Sequence, residues 1–185
     1  MLHRTVGVSL DEYRKYMHRS FDAMCQQDLS VVATDTVSNK IVGCLVACDY
    51  ALAEQGSTDM PECMKPVSAL LQKLDSLYRE GRCIEPGDYL LVDMVAVSSE
   101  ARNRGIYRTL RQAVHQIGYD AGFKWVVGEL SSAATQRVCR NEFGHTVRAE
   151  INYQNFEFCG RRPFALIGDP DSIQLVEGKL NKSKR

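Results

Sequence analysis

The sequence predicts an α/β (α+β) fold, in which a mixed and mostly antiparallel central sheet has helices on both of its faces. The main observation is a strand–helix–strand pattern over residues 89–130. Tyr89–Val97 and Phe123–Leu130 are nearly continuous apolar runs, which is typical of strands covered on both faces. An amphipathic stripe between them indicates a helix, so the two strands form a right-handed parallel crossover. Antiparallel strands are expected before and after this unit.

The first helix and a hairpin are predicted in the front part of the chain. Ser9-Leu10-Asp11-Glu12 fits a capping box, because Ser9 can cap the helix while Glu12 reaches back to it. Apolar residues at helical spacing then continue to about Gln26. Leu29–Asp35 and Ile41–Tyr50 are strand-like runs separated by a polar turn, so they predict an antiparallel hairpin.

The remaining elements are predicted from turn-forming residues and from the spacing of apolar residues. Residues 51–64 contain glycine, serine and proline and predict a loop, and an amphipathic helix follows Pro66 and ends near Gly81. A further helix is expected from Ser131 or Ser132 to just before Gly144. Two final antiparallel strands are expected at Thr146–Phe158 and Phe164–Ile167.

Length and composition limit the classes of protein to consider. A chain of 185 residues fits one domain, here 1–185 with a core of about 9–178 and a polar tail at 179–185. With 23 basic and 23 acidic residues the net charge is zero, which argues against a general nucleic-acid binder. No apolar run approaches the ~20 residues that span a bilayer, and no leader opens the chain. The sequence therefore predicts a cytoplasmic protein that binds neither membrane nor nucleic acid.

The cysteines and histidines predict neither disulfides nor a metal site. The seven cysteines are odd in number and form no Cys-x-x-Cys pair, unlike the framework of a secreted disulfide scaffold. The four histidines are far apart in the sequence and lack the spacing of metal ligands. We expect a reducing compartment and no bound metal.

The most informative segment is Val97–Leu110, which joins a buried strand to an amphipathic helix. A bend there would point backbone N–H groups outward at a helix N-terminus, and such a terminus attracts anions. Gly105 lets the backbone approach a phosphate closely, and Arg102, Arg104 and Arg108 add positive charge. The alternative is a plain strand-to-helix turn with solvated arginines.

Two carboxylates interrupt the apolar strands of the crossover. Asp93 is the only charged residue within Tyr89–Val97, and Glu129 lies at the end of the next strand. Each is a candidate general base, and Glu129 could instead anchor a water molecule. The alternatives are a structural carboxylate bonded to the neighbouring backbone for Asp93 and a salt-bridged or solvent-facing residue for Glu129.

Arg102-Asn103-Arg104-Gly105-Ile106-Tyr107 resembles the Arg/Gln-x-x-Gly-x-Gly/Ala signature of the GCN5-related N-acetyltransferases (GNATs). The resemblance implies the GNAT fold, with the loop holding the pyrophosphate of acetyl-coenzyme A and the preceding strand pairing with its pantetheine arm. Gly122–Val127 resembles the next parallel strand, and Asn141–His145 resembles the closing Gly-Phe element. The residues thereby assigned to the cosubstrate are Met94, Val95, Ala96, Val97, Arg102, Asn103, Arg104, Gly105, Ile106, Tyr107, Arg108, Ser132 and Thr135.

Within the superfamily the chain looks most like the insect arylalkylamine (dopamine-type) N-acetyltransferases. The resemblance places Ser131 or Ser132 at the first of two catalytic serines and Thr135 near the second. It adds these hydroxyls to Glu129 and Asp93 as candidate catalytic groups, although a serine at a helix start is also a common N-cap. The chain departs from the family at two positions. Tyr107 stands where the signature has a small residue, and Arg140 stands where many members have a tyrosine that donates a proton to the leaving thiolate. No residue of this sequence matches the proposed catalytic glutamate in the leading region of the insect enzymes.

The resemblance implies an acetyl-coenzyme A dependent N-acetyltransferase that acts on a small primary amine, an arylalkylamine or a polyamine, by direct attack in a ternary complex. It is also compatible with a homodimer. Two alternatives stay open at this point. One is a protein or peptide amine as the acceptor, and the other is a non-catalytic coenzyme A-binding module of the same fold.

Overall fold

The computed structural model describes residues 2–53 and 60–182. Its helices and strands follow one another as α1 (Leu2–Thr5), α2 (Leu10–Cys25), β1 (Val31–Thr34), β2 (Ile41–Asp49), α3 (Lys65–Arg79), β3 (Tyr89–Val97), α4 (Ile106–Asp120), β4 (Trp125–Leu130), α5 (Ala133–Asn141), β5 (Thr146–Asn152) and β6 (Ser172–Lys179). The chain divides into two compact units: the first comprises residues 1–21, 54–83 and 129–177, and the second comprises 22–53, 84–128 and 178–185.

The second unit contains the predicted crossover. Strand β2 pairs antiparallel with β1 and with β3, and β3 pairs parallel with β4 from Tyr89↔Trp125 to Val92↔Gly128. Helix α4 connects β3 to β4 and buries its apolar stripe against the sheet. The buried core there consists of Leu29, Leu45, Ala47, Leu90, Val92, Leu110, Val114, Phe123, Val126 and Leu180. The mixed sheet and the parallel crossover are therefore as predicted.

The first unit contains an antiparallel pair of strands, with β5 and β6 in register from Thr146↔Glu177 to Asn152↔Ser172. Glu177 is almost completely buried and accepts hydrogen bonds from Tyr78 Oη on α3 at 2.7 Å and from Arg148 Nε on β5 at 2.9 Å. A buried carboxylate is stable only when such donors surround it. This cluster therefore ties α3, β5 and β6 together.

The prediction of a strand at Phe164–Ile167 is wrong. The segment is a turn in which Ile167 N–H donates to the Phe164 carbonyl at 3.0 Å. Both side chains are buried, and the Phe164 ring contacts Tyr153 at 6.2 Å between centroids. Apolar residues three positions apart meet on one side of a turn, which explains why an apolar run resembled a strand. The last strand is β6 instead.

The strand predicted at Thr146–Phe158 is too long, because β5 ends at Asn152. The Asn152 side chain accepts a hydrogen bond from Gln154 N–H at 2.9 Å, which forms a local turn that ends the strand. Helix α3 begins at Lys65, with Pro66 in its first turn, where proline fits. Part of the loop predicted at 51–64 and the last three residues of the tail lie outside the described residues.

The capping box and the hairpin are confirmed. Ser9 N–H donates to Glu12 Oε2 at 3.1 Å, and Glu12 N–H donates to Ser9 Oγ at 3.2 Å. The hairpin strands β1 and β2 are joined by a turn in which the Asp35 carboxylate accepts hydrogen bonds from the N–H groups of Val37 and Ser38. Among the described residues, no helix is both long and apolar enough to cross a membrane.

Candidate functional site

A β-bulge interrupts β3 at Asp93. The register of β2 with β3 steps from Val46↔Met94 to Ala47↔Val92, so Asp93 is an extra residue without a partner in that register. A bulge bends its strand and redirects the side chains that follow. The bulge therefore separates the first half of β3, which pairs with strands on both edges, from Met94–Val97.

The segment Met94–Val97 pairs with β2 along one edge, from Val46↔Met94 to Gly43↔Val97. The parallel register with β4 ends earlier, at Val92↔Gly128. The backbone groups on the second edge of this segment lie beyond that register. Such a strand edge can pair with the amide groups of an extended ligand. The resemblance to the GNAT family assigns these four residues to the pantetheine arm.

The loop after β3 contains two left-handed residues and leads directly into the N-terminus of α4. Asn103 and Gly105 both have left-handed backbone conformations, with φ of 62° and 74°. Left-handed residues are a recurrent feature of loops whose N–H groups bind anions. Gly105 also caps α4, whose first hydrogen bond runs from Thr109 N–H to the Gly105 carbonyl at 3.1 Å. The N–H groups before Thr109 therefore lie ahead of the helical hydrogen-bond ladder.

The space beside Gly105 is open. A Cβ built on Gly105 would meet no atom within 4 Å. The side-chain direction at Gly105 is therefore free of described protein groups. Two residues at the ends of the loop pack into the protein. Ala101 is buried, and the Ile106 side chain lies so close to Gly43 of β2 that a Cβ built on Gly43 would come within 2.9 Å of Ile106 Cγ2. Ile106 thus packs on β2 and offers a ligand its backbone rather than its side chain.

The three arginines predicted to add positive charge lie in this loop and in the first turn of α4. Arg102, Arg104 and Arg108 are all exposed. Arg104 also lies 3.7 Å from the Asp35 carboxylate in the β1–β2 turn. The pKa of Asp35 is lowered, mainly by hydrogen bonds from Ser38 and Val37 and also by the Arg104 charge. Asp35 is therefore ionised at neutral pH and attracts the Arg104 guanidinium. Tyr107, in the first turn of α4, is half-buried.

Asp93 is half-buried, and burial raises the pKa of its carboxyl group from 3.8 to about 6. The pKa of the Cys48 thiol is raised to about 12, mainly by burial and also by the negative charge of Asp93. We find no hydrogen bond of the Asp93 side chain with any described residue. The alternative of a structural carboxylate bonded to neighbouring backbone therefore lacks its hydrogen bonds, and a carboxylate with a pKa near neutrality suits a general base.

The other candidate catalytic residues lie in the first unit. Glu129 is half-buried near the end of β4, and Ser131 is half-buried in the bend after it. Ser132 caps α5 by accepting a hydrogen bond from Thr135 N–H at 3.2 Å, and its hydroxyl lies 2.9 Å from Thr135 Oγ1. The structure thus brings Ser132 and Thr135 into one hydroxyl pair, and the N-cap expected as an alternative role for Ser132 is present.

The first unit also contains a cavity of about 640 Å³ that the sequence did not reveal. Its lining combines apolar, cationic and thiol side chains drawn from separate parts of the chain. These residues are Thr5, Val6, Cys63, Pro66, Phe158, Cys159, Arg161, Arg162 and Pro163. They are brought together only by the tertiary structure, so no local spacing could have indicated them.

One further residue of the second unit went unnoticed in the sequence. Arg111 lies on α4 between Leu110 and Val114, on the face that packs against the sheet, and its side chain is completely buried. The signal was present in the sequence, since a charge next to an apolar helical stripe is unusual.

No family model and no curated protein matches the chain. Solved structures do match its fold. The C-terminal condensation domain of Ebony, in complex with β-alanyl-dopamine, is similar with a TM-score of 0.86 at 16% identity, over 96% of this chain and 85% of that one. Arylalkylamine N-acetyltransferase 2 from Aedes aegypti is similar with a TM-score of 0.76 at 18% identity, over 97% and 87%.

A polyamine N-acetyltransferase from Drosophila melanogaster, described as catalysing the formation of N-acetylagmatine, has a TM-score of 0.64 at 19% identity. The match covers 86% of this chain and 79% of that one. These likenesses confirm the predicted GNAT fold, including its resemblance to the insect arylalkylamine N-acetyltransferases.

Proposed function

We propose that this protein is an acetyl-coenzyme A dependent N-acetyltransferase that transfers an acetyl group to the primary amine of a small molecule, an arylalkylamine or a polyamine. The premise is the GNAT fold, which the chain shares with amine N-acetyltransferases. Fold alone does not determine function, so the proposal depends on the geometry of the loop and strand described above.

The observation that carries the proposal is the continuity of β3 with the loop and the N-terminus of α4. The strand edge of Met94–Val97 leads directly into a loop with left-handed residues at Asn103 and Gly105 and a helix N-terminus behind them. An extended arm with amide groups and a pyrophosphate at one end matches this arrangement. Coenzyme A has both features, so the residues present fit it as a cosubstrate.

The residues divide the work of binding. The N–H groups around Gly105 and the positive end of α4 bind the pyrophosphate, while Arg102 and Arg108 add charge at its rim. Arg104 contributes less, because Asp35 already neutralises part of its charge. Met94–Val97 align the arm so that its thioester end lies near the bulge.

Acetyl transfer requires that the amine lose a proton, that charge on the carbonyl oxygen be stabilised and that the thiolate leave. Asp93 is the candidate base, because its raised pKa lets it accept a proton near neutral pH. The paired hydroxyls of Ser132 and Thr135 can relay a proton, and the Ser131 hydroxyl can do the same or donate to the carbonyl oxygen. Glu129 is a candidate for a second base or for a water anchor. Holding the two substrates together supplies much of the acceleration.

A second candidate is condensation of an aminoacyl thioester with an amine. It is favoured by the TM-score of 0.86 to the Ebony condensation domain, a structure that contains the amide of β-alanine and dopamine. The acceptor chemistry is the same in both candidates. Only the acyl group and its carrier differ, so a panel of acyl donors separates them.

The test is thiol release from acetyl-coenzyme A with a panel of arylalkylamines, polyamines and short peptides, together with calorimetric binding of coenzyme A. We expect saturable release with at least one small amine and formation of the acetylated product. Release with β-alanyl-coenzyme A instead would favour condensation. Binding of coenzyme A without turnover on any amine would leave a non-catalytic module and overturn the proposal.

A further inference from the structure

The cavity of the first unit has the size of a small-molecule site. Its volume of about 640 Å³ falls within the range of ligand-binding cavities in proteins. Three segments that are distant in the sequence meet there: residues 5–6 after α1, Cys63 and Pro66 around the start of α3, and residues 158–163 between β5 and β6. Among the described residues that line it, none belongs to the proposed acetyl-transfer site. The function proposed above therefore leaves this cavity unexplained.

A tight turn between β5 and β6 fixes one wall of the cavity. Phe158 N–H donates to the Arg161 carbonyl at 2.8 Å, and Arg161 N–H donates to the Phe158 carbonyl at 3.0 Å. Cys159 and Gly160 between them both have left-handed backbones, with φ of 48° and 71°, as in the two-residue turns of β-hairpins. Residues paired in this way present their side chains on the same face. The side chains of Phe158 and Arg161 therefore project side by side, and both residues line the cavity.

The lining carries positive charge that no described carboxylate neutralises. Arg161 and Arg162 are both exposed, and neither forms a salt bridge within residues 2–53 and 60–182. The carboxylate nearest in sequence to Cys63 is that of Glu62, which is already paired with Lys65 at 2.6 Å. A guanidinium stays protonated in proteins and binds a carboxylate through two parallel N–H groups. The cavity therefore attracts an anion and repels an ammonium group.

Apolar side chains provide the rest of the wall. Phe158, Pro66 and Pro163 are half-buried, and Val6 adds an aliphatic side chain. Ligand sites commonly combine such an apolar lining with a few polar groups that fix the orientation of the ligand. Aromatic rings also pack favourably against one another, in offset or edge-to-face arrangements. A ligand that suits both parts of this wall has an aromatic ring and one anionic group.

We propose that the cavity binds a small aromatic carboxylate, with its carboxylate on Arg161 and Arg162 and its ring against Phe158. The inference goes beyond the proposed function and does not depend on it. Arylalkylamines and polyamines are cations, which the two arginines repel, so this cavity is a site distinct in its chemistry from one for the acceptor amine. The anion binds here whether or not the protein transfers acetyl groups.

Calorimetry with 3-phenylpropionate as the probe tests the ligand class. We expect saturable binding of one molecule per chain. The amide of the same acid, 3-phenylpropanamide, should bind at least about tenfold less tightly because it lacks the charge, and inorganic phosphate should do so because it lacks the ring. Absence of binding, or an equal dissociation constant for the acid and either of the other two compounds, would overturn the inference.

A double substitution locates the site. Arg161→Gln combined with Arg162→Gln should raise the dissociation constant of 3-phenylpropionate by about tenfold, the effect of losing two exposed ion pairs. Arg14→Gln combined with Lys15→Gln removes the same charge from exposed positions of α2 and is the control, with a dissociation constant expected within about twofold of the wild type. The affinity for coenzyme A should be preserved in both proteins. Equal losses of 3-phenylpropionate binding in the two double variants would contradict a site at the cavity.

Two thiols of the lining report occupancy without any substitution. Cys159 is exposed and Cys63 is half-buried, whereas the exposed Cys25 at the end of α2 is not among the described lining residues. We expect 3-phenylpropionate, at ten times its dissociation constant, to slow alkylation of Cys159 by iodoacetamide by at least about threefold. Alkylation of Cys25 should keep its rate, and mass spectrometry of peptides measures both. Unchanged rates at Cys159 and Cys63 would contradict the proposal, even if the variants failed to fold.

Discussion

At the scale of single residues, Asp93 at the β-bulge is the proposed general base. Asp93 is the extra residue of the bulge and has no partner in the register of β2 with β3. Its half-buried carboxyl group makes no hydrogen bond with the described residues. Burial raises its pKa to about 6. A carboxyl group in that condition titrates in the range where an amine acetyltransferase would need a base.

The pH dependence of catalysis follows from this pKa. Below pH ~6 the Asp93 carboxyl group is protonated and cannot accept a proton, so we expect kcat/KM to fall about tenfold per pH unit there. Asp93→Asn should reduce kcat/KM by about 100-fold and abolish that inflection. A stopped assay of product between pH 5 and 8 measures both. An unchanged inflection in the variant would assign it to another group.

The same shift has a consequence for stability. The pKa of Asp93 is higher in the folded protein than the ordinary value of 3.8, so the folded state holds the proton more tightly. The stabilisation is fully present below pH ~3.8 and is lost as the pH rises through about 6. Asp93→Asn should therefore raise Tm relative to the wild type at pH 8 but not at pH 4. Thermal unfolding at the two pH values checks this, and an equal effect at both would contradict it.

Gly105 is the residue on which phosphate binding depends most directly. Gly105→Val should raise the dissociation constant of coenzyme A by at least about tenfold, because a side chain would occupy the open approach to the N–H groups. Gly81→Val is a matched control, since φ is 70° there and 74° at Gly105 and neither glycine has an atom within 4 Å of a built Cβ. Equal affinities in the two variants, measured by calorimetry, would count against the phosphate loop.

At the scale of secondary-structure elements, the start of α5 combines a structural and a proposed chemical role. Ser132 caps the helix through Thr135 N–H and contacts the Thr135 hydroxyl. Ser132→Ala should lower the free energy of unfolding by about 1 kcal/mol, whereas Ser132→Asn preserves the cap.

Both Ser132 variants lack the hydroxyl group, so both should lower kcat if it relays a proton. Chemical denaturation and initial rates separate the two properties. A normal kcat in Ser132→Asn would leave the serine with its capping role alone.

The elements that carry the site were readable from the sequence because their signals are local. The apolar runs of β3 and β4, the stripe of α4 and the glycine before it identified the crossover and the loop. Asn103 could have been recognised as a second left-handed residue, since asparagine tolerates that conformation. The bulge at Asp93 and the contact of Arg104 with Asp35 depend on register between segments distant in sequence, and no local spacing encodes them.

The wrong prediction at Phe164–Ile167 has the same cause. Buried apolar residues fit a strand or a tight turn, and only the packing of Phe164 on Tyr153 distinguishes the two. The sequence likewise indicated Arg111 only as a charge beside an apolar helical stripe. Its burial depends on Gly128 of another strand, where the absence of a side chain makes room for the guanidinium.

At the scale of the whole molecule, ligand binding and folding are linked. A ligand that binds only the folded state stabilises it by about 2.7 kcal/mol at a free concentration 100 times its dissociation constant. Coenzyme A should therefore raise Tm of the wild type, measured by calorimetry. The same concentration should raise Tm of Gly105→Val much less, and equal shifts in the two proteins would contradict binding at the loop.

Stability of the first unit depends on its buried carboxylate. Glu177→Ala would leave the Tyr78 hydroxyl and the Arg148 guanidinium without their shared acceptor, so we expect a loss of about 3 kcal/mol in the free energy of unfolding. Glu157→Ala, at an exposed position, is the control and should change it by less than about 0.5 kcal/mol. Similar denaturation midpoints for both variants would show that the cluster contributes little.

The central claim is that the edge of β3 and the N-terminus of α4 bind a coenzyme A thioester. Amide hydrogen exchange of the wild-type protein with and without coenzyme A tests it most directly. We predict slower exchange of N–H groups within Met94–Val97 and around Gly105, with little change in the β1–β2 turn. Slower exchange confined to other segments, with none at β3 or the loop, would contradict the account.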